Sequence, residues 1–103
     1  MQTLAIHTRL KADRIAEYER VHAVIPVELD HALRRAGVSS WKIWRSGRDL
    51  FHWVQVEDID AMRASLAGAS ADQRWQKLIA PLLEPVPGGD ELPLVWELPV
   101  MAP

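Results

Sequence analysis

With 103 residues the chain fits one small domain, large enough for a modest core. Its net charge of −2, with acids and bases interspersed, argues against nucleic acid or an anionic membrane surface as the main partner. The absence of cysteine excludes disulfides, thiolate metal sites and a cysteine nucleophile. No stretch reads as long and apolar enough to span a bilayer, so a cytoplasmic location is the default expectation.

The first element is a strand, "QTLAIHTRL" over 2–10, with Leu4, Ile6, Thr8 and Leu10 on one side and Ala5, His7 and Arg9 on the other. A helical stretch follows from Asp13, a candidate N-cap, to Gly37, a natural residue beyond a helix C-terminus. Its apolar stripe runs through Ile15, Tyr18, His22, Ile25, Leu29 and Leu33. Pro26 lies within it. Proline has no N–H, so the carbonyl of His22 loses its helical partner, and the helix should kink or break beside that histidine.

"VSSWKIW" (38–44) and "DLFHWVQVE" (49–57) read as a strand pair joined by "RSGRD", in which Gly47 can take a positive φ. Two helical pieces follow at 58–68 and 70–84, the second with a capping box from Ser70 and Gln73. A loop over 85–90 leads to a last strand at 92–100. Pro93 and Pro99 confine that strand to an edge or an arm. The order β-α-β-β-α-β predicts an α+β, ferredoxin-like plait, an antiparallel sheet with helices on one face. The other face must also be covered. Five tryptophans, set against one phenylalanine and one tyrosine, suggest an interface, an aromatic-walled pocket or both. Trp41, Trp44 and Trp53 sit on the middle strands, so a second copy of the sheet is the expected cover and a homodimer the expected assembly.

The chemistry-bearing residues are few. Tyr18 and His22 are four apart on one helix face, so their side chains are neighbours. Two readings follow: a core pair with satisfied hydrogen bonds, or a proton-transfer pair. His31, beside Arg34 and Arg35, reads as surface. His7 and His52 fall on strands. No HExxH, glycine-rich phosphate loop or G-x-S-x-G elbow is present, and a metal site is not the expectation. Trp75 lies within a helix beside Arg74, Gln76 and Lys77, at a solvent boundary.

Several segments in order resemble the L-rhamnose mutarotase family. The family's Y-x-x-x-H-x-x-x-W-P-E-L helix is matched by "YERVHAVIPVEL", through Tyr18, His22, Glu28 and Leu29. "SSWKIW" with "LFHWVQVED" resembles its hairpin, "DQRWQKLI" its R-W motif at Arg74 and Trp75, and "DELPLVWELP" its ending. The chain departs from the pattern at Ala23, Pro26, Trp41 and Gln76. The resemblance implies a dimeric α/β-barrel of two facing sheets and an isomerase that exchanges the α and β anomers of a 6-deoxy-L-hexose, with L-rhamnose the first expectation. It implies His22 as acid/base with Tyr18 beside it, and Trp75 bordering the sugar. Arg74, Gln76 and Trp41 are the further candidates for substrate binding.

Ring opening needs a base for the anomeric O–H and an acid for the ring oxygen, and histidine can both take and give a proton near neutral pH. No cofactor is expected. Two alternatives stand beside this reading: a cofactor-free monooxygenase-like enzyme on the same barrel, and a non-catalytic sugar-binding protein.

Overall fold

The computed structural model describes residues 1–101. Strands β1 (Gln2–Leu10), β2 (Val38–Ser46), β3 (Asp49–Val56) and β4 (Leu83–Glu84) form one sheet in the order β2-β3-β1-β4, antiparallel at every pairing. Helices α1 (Ile15–His22), α2 (Val27–Arg35), α3 (Ile59–Ala67) and α4 (Ser70–Ile79) cover one face. This is the expected plait.

Two apolar clusters lie between sheet and helices. One gathers Leu4, Val54, Val56 and Met62, the other Leu10, Tyr18, Leu50 and Ile79. Leu10, Leu50, Val54 and Val56 are fully buried, each stabilising the fold by roughly 1.5–3 kcal/mol relative to exposure. The strand period of two places Leu4, Ile6, Thr8 and Leu10 of β1 beside Leu50, His52 and Val54 of β3 on this inner face. A bulge between Val38 and Ser40 changes the phase of β2, so that Trp41, Ile43 and Arg45 share the inner face with Val38. Lys42 and Trp44 go to the outer face.

Gly47 takes φ +60° in the β2–β3 turn and Gly37 takes φ +92° after α2, as their positions require. The long helical stretch is broken as Pro26 predicts. α1 stops at His22, and Pro26 is the N-cap of α2, its carbonyl accepting from the Leu29 and Asp30 amides at 3.1 Å.

Three details differ from the sequence reading. The residue preceding α1 as its N-cap is Arg14, not Asp13, and no side chain caps it. At α4 the N-cap is Ala69. Ser70 is already helical, and Gln73 donates instead to the Ala67 carbonyl at 3.0 Å, so no capping box forms. The helix expected to reach residue 84 ends at Ile79. Pro81 sits in a turn of 3-10 helix over Ala80–Leu82, after which Leu83 and Glu84 are already β4.

The sheet's last pairing is therefore split around the "PVPGG" loop. Residues 83–84 pair with Leu10 and Arg9, and the chain returns at Glu91, bridged to Ile6. The Asp90 carbonyl accepts from the His7 amide at 2.6 Å, and the Leu92 amide donates to the Ala5 carbonyl at 2.9 Å. From Pro93 onward the segment expected over 92–100 as an edge strand or an arm is not strand-paired among the described residues, which leaves the arm. Leu94, Val95, Trp96, Leu98 and Val100 lie exposed along an apolar arm. Among the described residues no helix is long and apolar enough to cross a membrane.

Candidate active site

The break at Pro26 leaves His22 as the last residue of α1, on the helix face turned toward the sheet. Tyr18, one turn earlier, is buried, and the two rings stack with centroids 3.9 Å apart. Trp75 of α4 meets the imidazole edge-on, at 4.9 Å.

One hydrogen bond sets the chemistry of His22. Its Nδ1 lies 3.0 Å from the Tyr18 carbonyl oxygen. A carbonyl only accepts, so Nδ1 carries the proton and Nε2 is left with a lone pair. Burial lowers the imidazole pKa below its ordinary value, opposed in part by the bond to the Tyr18 carbonyl. The ring is thus neutral at pH 7 and ready to accept a proton. Burial pushes the Tyr18 phenol up to about 12, so it keeps its proton through the physiological range.

Both side chains line a cavity of about 240 Å³. Ala23 continues the α1 wall, Ile43 and Leu50 give an apolar floor from the sheet, and Glu19 and Arg45 stand at the rim. Trp75 does not line this cavity; with Pro26, Glu28 and Arg74 it borders a smaller hollow of about 120 Å³. Among the described residues no cluster of three or more His, Asp or Glu side chains could hold a metal ion.

The structure brings Tyr18, His22 and Trp75 together. Arg74 is exposed and lines the smaller hollow with Trp75. Gln76 is exposed beside Asp72, 3.5 Å from its carboxylate, and borders neither cavity. Trp41 lies on the inner sheet face, where its indole N–H donates to Nδ1 of His52 at 3.2 Å. His31 is exposed, as read from the sequence.

His52 is a part of this region that the sequence pattern passes over. It is in phase with Leu50 and Val54, which places it on the inner face once β3 is aligned. Because Trp41 donates to Nδ1, the proton sits on Nε2, which donates to Thr8 Oγ1 at 3.0 Å. Burial and the nearby His22 bring its pKa down to about 4. His7 goes to the opposite face, stacked on Phe51 and bonded to Asp49 at 2.8 Å. Glu19 and Arg45, 26 positions apart, carry no sequence signal of their meeting.

The sequence profile of the L-rhamnose mutarotase family matches residues 3–98. An L-rhamnose mutarotase of Burkholderia orbicola is 35% identical over 91 residues, spanning 86% of each chain. Among solved structures, an L-rhamnose mutarotase from Formosa agariphila superposes with a TM-score of 0.77 at 21% identity, covering 96% of this chain and all of that one. The polyketide cyclase tetracenomycin F2 cyclase from Streptomyces glaucescens superposes at 0.66 with 14% identity, covering 98% of this chain and 100% of its own. At such identities the superpositions establish the fold alone, and one fold serves unlike reactions.

Proposed function

Since this chain belongs to the L-rhamnose mutarotase family, a family of isomerases, we propose that it interconverts the α and β anomers of a 6-deoxy-L-hexose, L-rhamnose first, with His22 and Tyr18 as the acid–base pair. The observation that carries this is the free Nε2 of His22, made available by the Nδ1 bond to the Tyr18 carbonyl and set in a cavity with a protonated phenol.

In this mechanism Nε2 takes the proton of the anomeric hydroxyl as the C1–O5 bond breaks. The Tyr18 O–H is offered to the ring oxygen as it leaves. The open-chain aldehyde rotates about C1–C2 and closes on its other face, which reverses both transfers. No atom is gained or lost, and each protein group returns to its starting state. General acid–base catalysis of this kind contributes about 10²–10⁴ in rate. The apolar floor of Ile43 and Leu50 suits the C5 methyl group. Trp75, which touches His22 but lines the neighbouring hollow, is proposed for the C–H face of the ring. Arg74, Trp41 and Gln76 enter the proposal as the outlying candidates of the substrate shell. Ala23 lines the cavity without a hydrogen-bonding side chain, which favours looser discrimination between L-rhamnose and L-fucose than a fully polar wall would give.

The assembly proposed with this reading is a homodimer built on the outer sheet face. Phe51 and Trp44 are exposed there, Lys42 lies over the Trp53 ring at 5.3 Å, and the apolar arm of residues 93–101 is exposed and pairs with no strand among the described residues. A sheet covered on one side only needs a second layer, and a second copy supplies both that layer and a place for the arm. Sedimentation should show a dimer at micromolar concentration; a folded monomer there would overturn the assembly.

Saturation-transfer NMR on the anomeric protons tests the reaction. The protein should accelerate exchange in L-rhamnose above the buffer rate, and L-fucose should follow within about tenfold. Both sugars exchanging at the buffer rate would remove the mutarotase reading. Binding without exchange would leave a sugar-binding protein, and oxygen uptake with an aromatic substrate a monooxygenase.

A further inference from the structure

The cavity lined by His22 and Tyr18 has a second pair of polar side chains in its wall. Glu19 is the residue after Tyr18, on the outer side of α1, and Arg45 reaches the same rim from β2. Arg45 Nε donates to Glu19 Oε1 at 2.7 Å, and its Nη1 donates to the Gly47 carbonyl at 2.9 Å. Two bonds in different directions fix the guanidinium plane. Of its five N–H groups, three make no hydrogen bond among the described residues, and Glu19 Oε2 likewise accepts none there.

We propose that Glu19 and Arg45 form a hydroxyl-reading clamp that holds a neutral polyhydroxylated sugar by two adjacent hydroxyls while its anomeric carbon lies at His22. The clamp rests on one part of the mutarotase reading, that a sugar binds in this cavity. A sugar hydroxyl both donates and accepts. A carboxylate oxygen and a guanidinium N–H held side by side therefore match neighbouring hydroxyls better than either group alone. One cavity thus carries all three kinds of wall that a sugar needs: the acid–base pair, the apolar side chains of Ile43 and Leu50, and the paired charges of Glu19 and Arg45.

Stability gives little reason for the pair. The Arg45 and Glu19 side chains are 39% and 56% exposed, and ion pairs in such positions contribute little to folding. The bulge after Val38 is what brings Arg45 to the inner face. Without that change of phase, Lys42 and Trp44 would lie on Val38's side of the strand and Arg45 on the other.

Glu19→Gln and Arg45→Met test the clamp, because each keeps most of the side chain's bulk and neither residue is buried. Exchange rates are measured over a range of L-rhamnose concentrations, L-rhamnose binding by calorimetry, and thermal midpoints alongside. Each variant should raise KM and Kd about tenfold with kcat within about threefold, the pattern expected when binding is lost equally in ground and transition states. Wild-type exchange with unchanged KM and Kd in both variants would overturn the clamp and leave the mutarotase reading standing. Wild-type binding without exchange, weakened about tenfold by both substitutions, would support the clamp and remove the mutarotase. If L-rhamnose neither binds nor exchanges, both fall. A variant that melts earlier than wild type is replaced by Arg45→Lys, whose compact ammonium cannot keep the planar fork and should still raise KM.

Discussion

His22 and His52 lie on the same side of the sheet, are both lowered in pKa by burial, and differ in what their ring nitrogens do. His22 closes a helix that Pro26 cuts short. One nitrogen is held by a backbone carbonyl and the other is free beside a cavity. His52 stands in the middle of β3 with Trp41 on one nitrogen and Thr8 on the other. Its hydrogen-bonding capacity is spent on tying three strands together. Burial alone therefore does not make an imidazole reactive; an unengaged nitrogen at an opening does.

The comparison can be broken most sharply by deletion. His22→Ala should cost about 10²–10⁴ in catalysed anomer exchange with the fold intact, read by saturation transfer and circular dichroism. Loss of the fold instead would return His22 to the core-pair role. His52→Ala should do the reverse. It leaves the Trp41 N–H and Thr8 hydroxyl without their partner and opens a cavity, costing about 2–4 kcal/mol in denaturant unfolding, while kcat per folded molecule stays within about threefold. A His52 variant that melts normally but loses exchange as His22→Ala does would erase the distinction.

The two should also separate by pH. His52 is neutral in the fold down to about pH 4, whereas in the unfolded chain it takes up a proton near the ordinary histidine value of about 6.5. The unfolded state thus binds more protons between these values. Stability is full above about pH 6.5, falls as pH drops toward 4, and loses up to roughly 3 kcal/mol from this group. Denaturant titrations from pH 7 to 4 should show that slope, flattened in His52→Ala. Exchange activity should instead fall as pH drops through the lowered pKa of His22, because protonation fills Nε2. The smallest expected change is Tyr18→Phe. The stacked ring remains and only the O–H is lost, so exchange should slow by about tenfold with the KM little changed.

Much of this was legible from local rules. The break at Pro26 follows from a missing N–H, and Tyr18 and His22 meet because they are four apart on a helix. The strand faces of β1 follow from alternation. What escaped depends on long-range pairing. The bulge that turns Trp41 and Arg45 inward belongs to the β2–β3 register, and no run of residues in β2 announces it. The Glu19–Arg45 contact joins a helix to a strand 26 positions away. Ser70 and Gln73 carry a capping pattern, yet Gln73 finds the Ala67 carbonyl within reach and takes it. The pattern points to a last strand one loop too late, because Leu83 and Glu84 look like the end of a helix until Pro81 has turned the chain.

The ring nitrogens themselves offer the most direct test. Long-range 1H–15N spectra of protein labelled with 15N-histidine, recorded near pH 7, report which nitrogen of each of the four imidazoles carries the proton. The signals of His22 and His52 are assigned from His22→Ala and His52→Ala. His22 should be the Nδ1–H tautomer, with its Nε2 signal moving when L-rhamnose is added, and His52 the Nε2–H tautomer, unmoved by sugar. His22 found with its proton on Nε2, or a sugar response at His52 and none at His22, would contradict the assignment of His22 as the acid–base group.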